Sequence, residues 1–232
     1  MGETVKEFEV HAAQGIALLF VDEFHGFRSI KSRPDGRRKG VADMNGNLAY
    51  QEEQREELIG GRIVSMALAS VGHTYVADNI LSIFKNYLKG KQCIPFGDGI
   101  LVHLTDKDKF VPDAMVVCDR GKIRPDGVYG APDLVVEVLS PSTAKRDRTY
   151  KKDVYERCGV PEYWLVSPSE KTIEVYWLVD GRYAPHDICT LPAGWEMERM
   201  TDAEKAAVVT EFNCHLYDDL TIRLEDIFID FF

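Results

Sequence analysis

Two carboxylates stand where strand cores are usually apolar. Glu137 lies inside Leu134-Val135-Val136-Glu137-Val138-Leu139, and Asp113 follows Pro112 just before Ala114-Met115-Val116-Val117. A carboxylate on a buried-type strand is costly unless something neutralises it. A divalent cation, a buried base or an interstrand hydrogen bond would each do so. Mg2+ takes oxygen ligands and keeps several waters, so two carboxylates, a main-chain carbonyl and water make a workable site. A basic group completes it. Asp147, Lys151 and Tyr155 recur every four residues, and on a helix that spacing lines one face. A helix directly after the Glu137 strand sets its first turns beside that strand's end. Lys151 would then reach a metal and a phosphate, where it orients or helps deprotonate an attacking water and offsets charge on the phosphorane. Lys152 points elsewhere on this helix, and Lys145 precedes it as a reserve.

Each of these residues also has a plain structural reading. Asp113 can satisfy a turn, and Asp147 with Lys151 can be a surface ion pair. Asp133 shares a strand face with Glu137, since alternate residues do; it either supports the site from behind or caps the strand, and the structural role is favoured. Glu57, near the end of the first predicted helix, could add a carboxylate. His73, near the start of the next, could bring its ring to the same cleft, although a lone histidine is more often structural.

The elements that must hold these groups follow from periodicity. Residues 50–58 read as a helix stopped by Gly60-Gly61, and 62–68 alternate like a strand. Apolar residues at Val76, Ile80, Ile83, Phe84, Tyr87 and Leu88 have helical spacing. Strands are expected over 100–104, 111–118 and 133–139, then a helix over 144–158 ended by Gly159. Further strands are expected over 162–166, 172–178 and 182–189, joined by turns at 167–169 and 179–181. The tail, 220–232, is apolar with interspersed acids and should pack on the body. The order predicts an α/β domain with a mixed sheet, parallel where 133–139 passes through its helix into 162–166.

The first 45 or so residues read differently. Residues 3–24 suit an amphipathic helix or a strand pair. The basic, turn-rich stretch 28–40 suits a loop, read either as a solvated linker or as a phosphate-contacting arm. The chain of 232 residues is 45% hydrophobic, as expected of one globular domain with a full core. Its formal net charge is −10, with a pI near 5.1. That opposes strong non-specific grip on nucleic acid, which usually needs a basic surface. Five cysteines at scattered positions predict buried free thiols rather than a disulfide framework or zinc site. The apolar run 15–21 is too short to span a bilayer and has no signal-peptide character, so a cytoplasmic location with no membrane partner is expected.

The segment PDLVVEVLSPST at 132–143, followed by Asp147, Lys151, Tyr155 and GVPEYWLV at 159–166, closely resembles the Uma-type family classed among restriction endonucleases. ELIGGRIV at 57–64, His73 and Val111-Pro112-Asp113 match its earlier blocks, so the resemblance runs from about residue 50 to the C-terminus. It implies a restriction-endonuclease-like PD-(D/E)XK core at 49–232, a mixed sheet flanked by helices, with an extension at 1–48. It implies Asp113 and Glu137 as metal ligands and Lys151 as the basic residue. The usual lysine lies two residues after the glutamate; Leu139 stands there, and the lysine is relocated to the helix. The expected activity is hydrolysis of DNA phosphodiester bonds with Mg2+ or Mn2+, in a homodimer if both strands are cut. A nuclease-fold protein that binds or regulates without turnover is the alternative. Action on RNA or a nucleotide-like small molecule ranks below both, since no aromatic-rich single-strand platform is recognisable.

Overall fold

A computed structural model describes residues 55–228, which belong to one compact unit, Gln54–Phe232. The elements expected over 3–24, the basic stretch 28–40 and the last four residues of the tail lie outside the described residues.

The helix expected over 50–58 is replaced, in its described part, by a hairpin. Strand β1 (Glu56–Ile59) pairs antiparallel with β2 (Arg62–Ser65), Glu57 facing Val64. Gly60 and Gly61 have φ of +57° and +79°. Positive φ at both central residues is what a two-residue type I′ turn needs, and glycine adopts it without a Cβ clash. The glycine pair is a hairpin turn, where a helix stop was expected.

Helix α1 (Val71–Tyr87) starts at Ser70, whose side chain accepts from the His73 amide, and buries Val76, Ala77, Ile80 and Phe84 along one stripe. Seven short strands follow: β3 (Ile94–Gly97), β4 (Val102–His103), β5 (Lys109–Phe110), β6 (Ala114–Val117), β7 (Ile123–Arg124), β8 (Gly127–Tyr129) and β9 (Leu134–Val138). The helical passage after β9 has three parts: α2 (Ala144–Arg146), a wide π-helical turn (Asp147–Lys151) and α3 (Lys152–Cys158), which ends at Gly159 with φ +82°. Then come β10 (Glu162–Ser167), β11 (Thr172–Val179), β12 (Arg182–Thr190), α4 (Gly194–Arg199), α5 (Asp202–Ala207), β13 (Glu211–Asn213) and β14 (Thr221–Arg223).

The central sheet has the order β12-β11-β10-β9-β6-β3. Its β9–β10 pair is parallel, as the intervening helix requires, and the others are antiparallel. Every residue of β9 and β10 is buried, which fits continuous apolar runs covered on both faces. One face, carrying Ala114, Val116, Val136 and Trp164, packs on α1, on Phe212 and on the tail residues Ile222, Leu224, Ile227 and Phe228. Over its described residues, 220–228, the tail packs on the body as expected. The other face, carrying Met115, Val135 and Leu165, packs on Val154 and Tyr155 of α3 and on Phe110, Val102 and Val128. Those last three belong to a second sheet, β2-β1-β5-β4-β8-β7. The site forms where the two sheets and the α2–α3 passage meet.

One expectation about cysteine is overturned. Ile94 faces Val117 in the β3–β6 pair, so Cys93 and Cys118 meet across the strand ends and form a disulfide. Only the pairing of two strands brings them together, which spacing in sequence does not show. Cys158, Cys189 and Cys214 are free. Among the described residues no helix is long and apolar enough to cross a membrane.

Candidate active site

Strand register supplies the acidic pair. Ala114 faces Val136 in the antiparallel β6–β9 ladder. Continuing one residue sets Asp113 opposite Glu137, and directly opposed residues have neighbouring side chains on one face. Both are buried. Asp113 does not simply close a turn. Its Oδ2 accepts from the Val138 amide at 2.6 Å, so it is fastened to the strand that carries Glu137. From α1, His73 brings Nε2 to 3.5 Å from the same oxygen. Burial opposes the His73 imidazolium, but the hydrogen bond and charge of Asp113, aided by the Val138 backbone and Asp98, outweigh it and raise its pKa.

The helix supplies the cation. Asp147, Lys151 and Tyr155 converge on Glu137, and all three are buried; a surface ion pair is excluded. Lys151 Nζ lies 2.8 Å from Glu57 Oε1, 3.0 Å from Glu137 Oε1 and 3.7 Å from Asp147 Oδ1. Tyr155 donates its hydroxyl to Glu137 Oε1 at 2.8 Å. Lys151 closes the wide turn that begins at Asp147. Such turns insert one extra residue into a helix and recur at functional sites.

Glu57 is far more central than its sequence suggested. From β1 it reaches Lys151 and also accepts from the Val111 amide at 2.9 Å. It thus ties the hairpin to both the lysine and the segment leading to Asp113. A second junction holds the same hairpin. Asp108, also buried, accepts from the Gly60 amide and the Tyr150 hydroxyl, each at 2.9 Å, and from Thr105 Oγ1 at 2.9 Å. Those three hydrogen bonds favour the carboxylate over the burial that opposes it, and the Asp108 pKa is lowered. Nothing in the local sequence marks Asp108 and Tyr150, because their meeting depends on two elements 42 residues apart.

Asp133 is not part of the cluster. It sits at the opposite end of β9, where Oδ2 accepts from the Cys118 amide at 2.7 Å. Lys152 lies over the Tyr176 ring at 3.4 Å, and Lys145 is exposed. Leu139 belongs to the core beside Val135 and Tyr155, so the position of the usual lysine is occupied by packing.

Charge at the site is unbalanced. Glu57, Glu137 and Asp147 surround one ammonium, Lys151, while Asp113, opposite Glu137, has one imidazole, His73, at the edge. Burial pushes the Glu137 pKa well up; Lys151 opposes this, and Asp147, Asp113 and Glu57 add to it. Asp147 is raised as well, by burial, against the pull of Lys151, Thr143 and Arg146. Burial disfavours the Lys151 cation, yet Glu137, Glu57 and Asp147 overcome it and hold the ammonium protonated. A cluster made only for stability would be closer to neutral, since uncompensated buried charge is expensive.

The donor set suits a hard cation. Among the described residues no group of three or more histidine, cysteine or acidic side chains forms a ready-made metal cage. Asp113 and Glu137 instead offer two opposed carboxylates. Mg2+ is commonly held by one or two carboxylates with water and substrate oxygens completing the shell, so the residues fit it.

A mixed α/β sheet with acids at neighbouring strand ends and a lysine on the following helix defines a nuclease-like class of fold. The Uma2 family, described as "Putative restriction endonuclease", matches residues 46–207, and the chain belongs to that family. An uncharacterized protein of Synechocystis sp. is 32% identical over 133 residues, 56% of this chain and 70% of its own length. A second from the same organism is 26% identical over 136 residues, 57% and 77% of the two chains. A crystal structure described as "a putative nuclease belonging to DUF820", from Anabaena variabilis, matches with a TM-score of 0.58 at 18% identity, covering 78% of this chain and 93% of that one. That last match is one of fold.

Proposed function

We propose that the protein is a metal-dependent endonuclease that hydrolyses DNA phosphodiester bonds. The observation that carries this is the buried surplus of carboxylates around Lys151. Such a surplus is relieved by protons or by a cation, and family membership favours the cation. Asp113 and Glu137 would hold Mg2+ or Mn2+. Such an ion supplies Lewis-acid polarisation of a phosphoryl oxygen and acidifies water.

The chain's own residues have separable roles. Glu57 and Asp147 hold the Lys151 ammonium in place beside Glu137. There it can orient the attacking water and offset the charge that grows on the phosphorane. With its pKa raised, Lys151 stays an ammonium and serves as a cation and hydrogen-bond donor and not as a general base. Lys151 and Tyr155 both bind Glu137 Oε1, which leaves Oε2 as that carboxylate's second donor atom. His73 steadies Asp113 from α1. Cutting both strands of a duplex calls for one site per strand, which a homodimer would supply.

The test is plasmid cleavage with Mg2+, Mn2+ or EDTA, for wild type, Glu137→Ala and Asp113→Ala. Cleavage that needs the metal and falls by roughly 100-fold or more in each variant is expected. No cleavage of supercoiled, linear or single-stranded DNA with either ion, or unchanged cleavage in Glu137→Ala, refutes the proposal. The net charge of −10 favours a second reading, a nuclease-fold protein that binds or regulates without turnover. Its signature would be metal binding, measured by calorimetry, without cleavage of any DNA form.

A further inference from the structure

Next to the acidic cluster lies a cation that acts on it only through its charge, by lowering the Asp147 pKa. Arg146 is half-buried, and its Nε is fully buried without a hydrogen-bond partner. Among the described residues it forms no ion pair, although Asp147 follows it directly. Other arginines nearby are engaged: Arg148 with Glu174 at 2.7 Å, Arg182 with Glu156 at 3.0 Å. A buried, unpaired, charged donor calls for a reason. Arginine presents a planar fork of donors that matches phosphate.

Hydroxyl groups precede it in the same passage, and that of Thr143 also bonds Asp147. Ser140 Oγ lies 3.0 Å from Ser142 Oγ and 3.1 Å from Thr143 Oγ1. The Ala144 amide donates to the Ser140 carbonyl and the Asp147 amide to the Thr143 carbonyl, at 2.9 and 3.0 Å. The backbone is therefore already helical here, and residues three apart, Thr143 and Arg146, are neighbours on one side. Each hydroxyl hydrogen can rotate onto an incoming oxygen. Ser140 lies three residues past Glu137, about 10 Å at ~3.3 Å per residue. A nucleic-acid strand rising about 3.4 Å per nucleotide spans that distance in a few steps.

We propose that Arg146, with the hydroxyls of Ser140, Ser142 and Thr143, binds a backbone phosphodiester flanking the one that is cut. The proposal rests on the nuclease reading of the adjoining acidic site. It also supplies what the acidic chain lacks overall, a local cation whose Nε has no hydrogen-bond partner among the described residues.

Two measurements test it. The first follows the Arg146 Nε–H resonance, assigned by its loss in Arg146→Lys, during titration with the dinucleotide TpT and with its uncharged methylphosphonate analogue. A saturable shift with TpT alone is expected; no shift with TpT, or equal shifts with both, overturns the site. The second measures duplex binding in EDTA against salt for wild type and Arg146→Gln, with thermal melts to show that the variant is folded. A roughly tenfold or greater rise in Kd and a salt slope shallower by about one are expected. Unchanged affinity and slope in the folded variant overturn the site. If Arg146 responds to TpT but wild type cuts no DNA, the nuclease reading fails and the phosphate site stands. If cleavage needs Glu137 but Arg146 is silent, the phosphate site fails alone.

Discussion

Replacing Lys151 by alanine isolates the charge imbalance at the site. The side chain is 4% exposed and lies within 4 Å of Glu57, Glu137 and Asp147. Removing one partner of a buried ion pair costs about 3–5 kcal/mol, because the other charge is left uncompensated. For a domain of this size each kcal/mol shifts Tm by roughly 2–4 °C, so a fall of about 6–20 °C follows. The loss depends on pH with a definite sign. Glu137 and Asp147 have folded pKa values above their ordinary values of 4.5 and 3.8. The folded state therefore binds more protons, and stability is lost as pH rises above that range. Lys151 lowers both pKa values, so its removal raises them further and steepens the loss. The Tm deficit of Lys151→Ala should be larger near about pH 7.5 than near about pH 5. Excess Mn2+ should recover part of it, about 2.7 kcal/mol at a hundredfold excess over Kd. Melting followed by circular dichroism in EDTA and in Mn2+, at both pH values, is the assay. A variant that melts with wild type at both values, or whose deficit grows as pH falls, refutes the reasoning.

Glu137→Gln keeps an acceptor for Lys151 and Tyr155 but removes one surplus charge. In EDTA it should be more stable than wild type by about 0.5–2 kcal/mol, and with Mg2+ it should lose cleavage; a lower Tm in EDTA would show that the cluster is balanced without metal. The Cys93–Cys118 bond closes a separation of 25 residues, which in the chain-entropy account is worth about 3.5 kcal/mol. A Cys93→Ala/Cys118→Ala double variant should lower Tm by several degrees and make it insensitive to dithiothreitol. Equal melting of both proteins, oxidised and reduced, would count against the bond.

The residues that meet at the site were legible where one of them broke a local pattern. Glu137 in an all-apolar strand and the four-residue spacing of Asp147, Lys151 and Tyr155 need only periodicity to be noticed. The parallel β9–β10 pair followed from strand, helix, strand order. What stayed hidden depends on long-range pairing. Glu57 looked peripheral because Gly60-Gly61 ends a helix as readily as it turns a hairpin, and only β1 pairing with β2 decides between them. Asp108 with Tyr150, and Cys93 with Cys118, meet through tertiary contacts that no local spacing encodes. The short strands β3, β7 and β8 carry two to four residues each, too few for an alternation to show.

The wide turn between α2 and α3 also bears on how such a site can drift over evolutionary time. Deleting a single residue from Asp147–Lys151 would leave a regular helix, with its ends still joined to β9 and β10. The extra residue is taken up within the wide turn, so its loss would leave the two flanking halves close to their present alignment while changing which side chains between Asp147 and Lys151 face Glu137. The backbone would tolerate that edit far better than the ammonium's aim would. Lys151 is thus addressed by a helical irregularity and not by its distance from Glu137. A descendant that regularised the helix would keep its fold and its acidic pair, and would have to recruit its cation from a different helical position.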